Sequence, residues 1–378
     1  MLNYELVATA AFGLEALVSK ELKRLGFKDM LVENGRITYK SDAEGICNSN
    51  LWLRCADRVF IKLAEFEALS FEELFQGVKK IEWNKILKED SSIIVNAKSV
   101  KSQLFSLSDI QSISKKAIIE KLKLKYDKEI FDESGDTYPI LISILQDKVL
   151  VLLDTSGVGL HKRGYREKGN EAPLKETLAA ALVILSNWRY SSTFIDPLCG
   201  SGTIPIEAAL IARNIAPGIN RRFICEKWEH ITSPEIWKKV RKDAYDKIYY
   251  DKDFDIMGYD IDERSIKIAR ENAEKAGVDD TIHFQQRPVC ELSTQSKYGT
   301  IVTNPPYGER LNDEFEVEEL YSEMGSIFKK LDTWSYNIIT SYEDFQIKFG
   351  RRSSKNRKLY NGRLRCYYYQ YEGPKPKR

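Results

Sequence analysis

Four consecutive residues, Asn304-Pro305-Pro306-Tyr307, follow a short hydrophobic run from Tyr298 to Thr303 that reads as a strand. Their types suit the handling of an amine. An exocyclic NH2 on a purine is a poor nucleophile, because its lone pair is delocalised into the ring. The side-chain carbonyl of Asn304 and the main-chain carbonyl of Pro305, which meets no competing N–H from Pro306, can each accept one amine hydrogen. The nitrogen then turns tetrahedral and its lone pair can be aimed at an electrophile. Such catalysis is mostly positioning, plus hydrogen bonds that strengthen as charge develops. Tyr307 adds a π-face on which an extruded base can rest. A bare Pro-Pro after a strand is commonly only a turn, and it is the strand-Asn-Pro-Pro-aromatic order that points to chemistry.

A second strand-end motif lies about a hundred residues upstream, Asp196-Pro197-Leu198-Cys199-Gly200-Ser201-Gly202-Thr203. It runs from a strand (Thr193 to Ile195) through a glycine turn into the apolar helix "IPIEAALIAR". Neither a dinucleotide G-x-G-x-x-G nor a phosphate loop ending in Gly-Lys fits it. Cys199 reads as a small filler of the turn rather than a nucleophile. The run "FDIMGYDID" ends at Asp260, placed like the acidic residue that holds ribose hydroxyls in doubly wound folds. Asp262 reads as the cap of the following helix, with Ile266, Ala269, Ala273 and Ala276 on one face and Gly277 at its end.

These motifs resemble those of the class I amino-methyltransferases. The resemblance implies S-adenosylmethionine as cofactor, with Asp196 at its amino-acid end, Leu198, Cys199, Gly200, Ser201, Gly202 and Thr203 wrapping it, and Asp260 and Ile261 at the ribose. After the strand "TIHFQQ" the family often places an aspartate for the adenine amino group. Here Pro288 stands at that position, so adenine recognition is expected to rest on main-chain groups. The catalytic set is Asn304, Pro305, Pro306 and Tyr307. Its extension Gly308-Glu309-Arg310-Leu311 is similar to the RNA guanine-N2 group and adds Arg310 as an RNA contact.

The chain has 378 residues, 43% of them apolar, enough for two or three domains with cores of their own. Six cysteines without a C-x-x-C pair and only three histidines support neither a metal site nor a disulfide framework. The N-terminus lacks a basic leader and no run of eighteen apolar residues occurs, so a cytoplasmic protein without a membrane partner is expected. Net charge is +2, yet eleven Lys and Arg stand against Glu372 alone from Lys348 onward. The segment from His161 to Lys175 is also basic. Such asymmetry points to a polyanion bound on one side. Within "HKRGYR", His161, Lys162, Arg163, Tyr165 and Arg166 interleave cations with rings, a pattern suited to phosphate and base contact. The last six residues read as a solvated tail.

The first sixty-five residues pattern as a small α/β unit: a strand (Tyr4 to Ala8), a helix (Leu14 to Leu25), a hairpin at Asn34-Gly35, and a second helix leading into "DRVFIKLAEF". From about Ser70 the pattern resets, with a helix, the strand "SIIVNAK", a long amphipathic helix from Ser108 to Leu124, and the paired strands "YPILISIL" and "KVLVLLD". A helix opened by Pro173 leads into a doubly wound region that closes with a hairpin at Asn361-Gly362.

Taken together, "ATAAFGLEALV", "LWLRCADRVF", "AKSVKSQLFSLSD", "LHKRGYREKGNEAPLKETLAAALV" and "NPPYGERL" are similar to the THUMP-domain RNA methyltransferases. Within these they are similar to the RlmL-type group acting on guanine N2 of large-subunit ribosomal RNA, in its short Gram-positive form. It implies an α/β chain: a ferredoxin-like domain (1–66), a THUMP RNA-binding domain (67–156), a basic linker (157–176), and a Rossmann-like methyltransferase domain with a mainly parallel seven-stranded sheet (177–378). The implied partner is RNA, either ribosomal RNA or a ribosome-assembly intermediate. Two other readings stay open: an adenine-N6 DNA or glutamine protein methyltransferase using the same tetrapeptide, and a non-catalytic ribosome-assembly factor.

Overall fold

Fourteen strands make two seven-stranded sheets in the computed structural model, which describes residues 3–166, 174–250, 252–307 and 314–375. The first sheet is built from β1 (Tyr4–Ala10), β2 (Leu31–Glu33), β3 (Arg36–Ser41), β4 (Ala56–Glu67), β5 (Ser92–Val100), β6 (Thr137–Leu145) and β7 (Lys148–Asp154), in the order β2-β3-β1-β4-β7-β6-β5. Its helices are α1 (Glu15–Arg24), α2 (Ala43–Trp52), α3 (Phe71–Lys79) and α4 (Leu107–Tyr126). Local chemistry explains the ends. Asn34-Gly35 turns β2 into β3 with Gly35 at φ +76°, and Ser70 and Glu73 close a reciprocal cap on α3.

The change of pattern near Ser70 does not interrupt this sheet. Strand β4 is long enough to pair antiparallel with β1 along its first half (Leu6 opposite Ile61, Ala10 opposite Ala56) and with β7 along most of its length (Phe60 opposite Asp154, Glu67 opposite Lys148). The two N-terminal units therefore share one hydrogen-bonded sheet.

The second sheet comprises β8 (Phe194–Asp196), β9 (Ile256–Asp260), β10 (Ile282–Gln286), β11 (Thr300–Thr303), β12 (Ser335–Thr340), β13 (Lys355–Asn361) and β14 (Leu364–Tyr371), ordered β10-β9-β8-β11-β12-β14-β13. The first five run parallel, while β14 is antiparallel to both β12 and β13. Helices α5 (Glu176–Leu185), α6 (Thr203–Ala212), α7 (Pro234–Tyr245), α8 (Glu263–Ala276), α9 (Glu314–Phe328) and the short α10 (Phe345–Lys348) accompany it. This is the expected doubly wound, mainly parallel architecture. Strand β11 is buried at all four positions, as a central parallel strand should be.

One apolar cluster runs from Leu6 and Leu22 of the first sheet's core through Trp228 to Phe284 and Tyr368 of the second. The segment between α6 and β9 is the bridge. Trp228 stacks on Tyr138 (centroids 4.8 Å apart, planes within 8°) and donates its indole N–H to the Thr137 carbonyl at 3.1 Å. The buried Arg54 side chain, just ahead of β4, donates to the Ile215 carbonyl, beyond α6, at 2.5 Å. The two halves are thus held by packed aromatic surface and buried hydrogen bonds.

Candidate active site

Strand order reverses between β8 and β11: the chain leaves β8 toward β9 and β10, then returns to β11 and β12 on the other side. In open α/β sheets the crevice beyond the carboxyl ends at such a point is where ligands bind. The two motifs arrive there together, since β8 ends at Asp196 and β11 at Thr303, with Ile301 opposite Ile195.

Asp196 is 1% exposed and its carboxylate accepts the Leu198 N–H at 3.2 Å. Burial raises its pKa to about 7; the Thr303 hydroxyl and the Leu198 N–H pull the other way, and Asp260 pushes it further up. The turn beyond is knitted to the neighbouring strand, with Cys199 N–H donating to the Tyr259 carbonyl at 2.7 Å and Gly202 N–H to the Cys199 carbonyl at 2.8 Å. Its two glycines serve different ends. At Gly202 (φ +80°) a Cβ would lie 2.9 Å from Ala269 Cβ and 3.0 Å from Phe284 Cζ, so this residue lets α6 close onto α8. At Gly200 (φ +51°) a Cβ would meet nothing within 4 Å, so this residue borders open space. Cys199 is 7% exposed with its thiol pushed well above the usual value by burial, which fits the filler reading.

Asp260 ends β9 opposite Gln286 of β10. Its Oδ2 accepts the Gly200 N–H at 2.8 Å and its Oδ1 the Asp262 N–H at 3.0 Å, so one carboxylate ties the second strand end to the glycine turn. Burial is the main cause of its raised pKa. Ile261 is 66% exposed, and its carbonyl accepts the Gln286 amide at 2.9 Å. Pro288, half-buried, precedes a turn of 3₁₀ helix at 289–291. As expected, Asp262 caps α8 by accepting the Arg264 N–H at 3.0 Å, and Gly277 ends it at φ +70°.

Beyond Thr303, Asn304 and Pro306 are half-buried, Pro305 is buried and Tyr307 is 8% exposed. The Pro306 carbonyl accepts a 2.8 Å hydrogen bond from Tyr321 of α9, whose hydroxyl also bonds Thr340 Oγ1 at the end of β12 at 2.9 Å. Tyr321 is fully buried, and Tyr342 packs edge-on against it at 5.6 Å. The tetrapeptide is thus clasped from behind by a residue that has no local sequence signal. Arg310 and its neighbours lie outside the described residues.

The basic segment is used differently from the expectation. Arg163 is 3% exposed and gives its N–H groups to the carbonyls of Leu160 and Arg54, each at 2.5 Å, and to Glu207 at 3.4 Å. Tyr165, equally buried, donates to Glu207 at 3.1 Å. Arg166 meets the Leu174 carbonyl at 2.9 Å, Thr203 Oγ1 at 3.2 Å and Glu176 at 3.0 Å. Glu207 and Glu176 are carboxylates buried in apolar helices, and such groups need cationic partners. Arg163, Tyr165 and Arg166 are therefore internal braces, not phosphate contacts. Lys162 is exposed, and half-buried His161 has its pKa lowered to about 4 by burial and by the cations Lys175 and Lys162.

The fold and this strand-end crevice define a class I methyltransferase. Family models match all three regions: "RlmL ferredoxin-like domain" over residues 5–60, "THUMP domain" over 68–154 and "RMKL-like, methyltransferase domain" over 163–370. The chain belongs to the RMKL-like methyltransferase family. It is 50% identical over 373 residues to the protein named "Putative RNA methyltransferase YpsC" of Bacillus subtilis, covering 98% of this chain and 96% of that one. Identity is 33% to the ribosomal RNA large subunit methyltransferase K/L of Aliivibrio salmonicida, where the match takes in 97% of this chain and 53% of the longer relative. The crystal structure of SMU.472 complexed with SAH superimposes over the whole of both chains with a TM-score of 0.94 at 47% identity. Among the described residues no helix is long and apolar enough to cross a membrane, and no group of three His, Cys, Asp or Glu could hold a metal ion.

Proposed function

We propose that the protein transfers a methyl group from S-adenosylmethionine to the exocyclic N2 of a guanine in large-subunit ribosomal RNA. The observation that carries this reading is the juxtaposition, at one topological switch point, of the Asn304–Tyr307 carbonyls and ring with the Asp196–Thr203 turn. The open space bordering Gly200, the buried carboxylate of Asp196 and the half-buried one of Asp260 fit an elongated cofactor carrying positive charge and a ribose. The cofactor supplies an electrophilic methyl on a sulfonium. Asp196 faces its amino-acid end, the Gly200–Thr203 turn wraps it, Asp260 takes the ribose hydroxyls, and main-chain groups near Pro288 meet the adenine. Asn304 Oδ1 and the Pro305 carbonyl accept the two amine hydrogens, bending the lone pair out of conjugation, while Tyr307 supports the base. The methylated nitrogen is acidic and sheds its proton to water or to the carbonyl cluster, so no dedicated base is required.

In this reading residues 67–156 hold structured RNA, residues 1–66 link them to the catalytic unit at 177–378, and Lys162 and Arg310 contact phosphate near the target. The test uses purified protein, RNA from cells lacking the gene, and cofactor labelled in the methyl group. The label should appear as N2-methylguanosine. Asn304→Ala should lower transfer about a hundred- to a thousandfold and leave cofactor affinity unchanged. Label on adenine N6, in DNA or in protein, or undiminished transfer by the variant, would overturn the proposal.

A further inference from the structure

The β13–β14 hairpin carries the basic C-terminal region, and the register shows how its residues are sorted. Lys358 lies opposite Tyr367, and Tyr360 opposite Arg365, so these four share one face, while Leu359 and Cys366 occupy the other and are buried. On the open face cation and ring alternate. Lys358 Nζ is 5.6 Å from the centre of the Tyr360 ring, and the Arg365 guanidinium is 5.8 Å from that of Tyr367. Both cations are exposed and both rings half-buried. Arg365 also meets the exposed Glu343 at 2.8 Å, an ion pair in water that an incoming phosphate can displace.

Position makes the ladder useful. Tyr367 is paired with Thr340, two residues beyond the level of Thr303 on β11, and Arg365 lies two residues further on. Four residues of strand rise, roughly 13 Å, therefore carry the hairpin past the carboxyl edge of the sheet, on the side where the Asn304 tetrapeptide emerges. At its rim stands Phe12, 53% exposed and edge-on to Tyr360 at 6.1 Å. The loop holding Phe12 is docked tightly, since a Cβ on Gly13 would come within 3.1 Å of the Lys358 carbonyl.

We propose that this face, Lys358, Tyr360, Arg365 and Tyr367 with Phe12 at its rim, is a stacking platform for unpaired RNA nucleotides flanking the target base. Rings accept bases of any sequence and the interleaved cations track the backbone. The inference rests on the RNA-methyltransferase reading and adds the single-stranded character of the flanking RNA. Cations on an edge strand can serve merely to prevent strand pairing between molecules, a role that needs no rings and confers no RNA affinity.

The test uses the full chain and fluorescence anisotropy with a short labelled single-stranded RNA of mixed sequence, and with the same strand annealed to its complement. Tyr360→Ala/Tyr367→Ala should weaken single-strand binding about tenfold or more and duplex binding less than twofold. Lys358→Gln/Arg365→Gln should flatten the single-strand salt dependence by about 1.4. Unchanged melting temperature and SAH affinity would show that both variants fold. Single-strand binding within twofold of wild type in the tyrosine variant, or equal losses on both probes, overturns the platform while leaving the enzyme's assignment intact. A wild-type chain that neither binds nor methylates RNA overturns both.

Discussion

Asp196 ends β8 with its carboxyl group out of water and a second carboxylate, Asp260, close enough to oppose its ionisation. With a folded pKa of about 7 and an ordinary unfolded one, the cofactor-free protein binds this proton more tightly than the unfolded chain does. Its contribution to stability is therefore fully present below about pH 4 and is lost as pH rises through 7, amounting to roughly 2 to 4 kcal/mol. A cationic cofactor favours the ionised form, so affinity should rise over the same interval. Melting curves and cofactor titrations between pH 5 and 8, on wild type and Asp196→Asn, check this prediction. Wild type should lose stability relative to the variant as pH rises and gain affinity, and parallel curves would contradict it. The strand-end placement of Asp196, Asp260 and Asn304 was legible in the sequence because each lies within a contiguous motif. Arg163, Tyr165 and Arg166 were misread because what they answer, Glu207 and Glu176, lies on other elements. Glu207, a lone acid in "IPIEAALIA", was the one available hint.

At the scale of elements, the turn between β8 and α6 shows how two glycines of similar backbone angle are required for unlike reasons. Gly202→Ala would drive a methyl into Ala269 and Phe284 at 2.9–3.0 Å in a backbone region that L-residues avoid, and stability should fall by about 2 to 4 kcal/mol. Gly200→Ala meets no protein atom, so its stability cost should stay near the 1 to 2 kcal/mol of the backbone angle alone. In the proposed site its methyl would enter the space assigned to the cofactor, and S-adenosylmethionine affinity should drop at least about tenfold, a loss of 1.4 kcal/mol or more. Thermal melts and calorimetric titration of the two variants separate the effects, and a Gly200→Ala protein with wild-type affinity would place the cofactor elsewhere. Element types were legible from periodicity, including the Asn34-Gly35 and Asn361-Gly362 hairpins. The fusion of the first two units into one sheet was not. Pairing of β4 with β7 joins residues about ninety apart, and alternation within each strand fixes its faces without naming its neighbour.

Across the whole molecule, the strand-end crevice and the N-terminal half are packed against each other. Arg163 bridges the Arg54 carbonyl and Glu207, Trp228 is stacked on Tyr138, and a single apolar cluster spans both sheets. The sequence divides at composition changes, which suggests separable parts, but composition does not record how much surface each part buries against the other. In the proposed mechanism this union would set where an RNA held by the THUMP region presents a base to Asn304. The basic hairpin and Phe12 meet across the same seam. The most direct test is nucleoside mass mapping of ribosomal RNA from a strain lacking this gene, complemented with wild type or with Asn304→Ala. One N2-methylguanosine of the large-subunit RNA should be absent from the deletion strain, restored by wild type, and not restored by Asn304→Ala although that protein accumulates and binds cofactor. An unchanged set of N2-methylguanosines in the deletion strain, or full restoration by Asn304→Ala, would contradict the account.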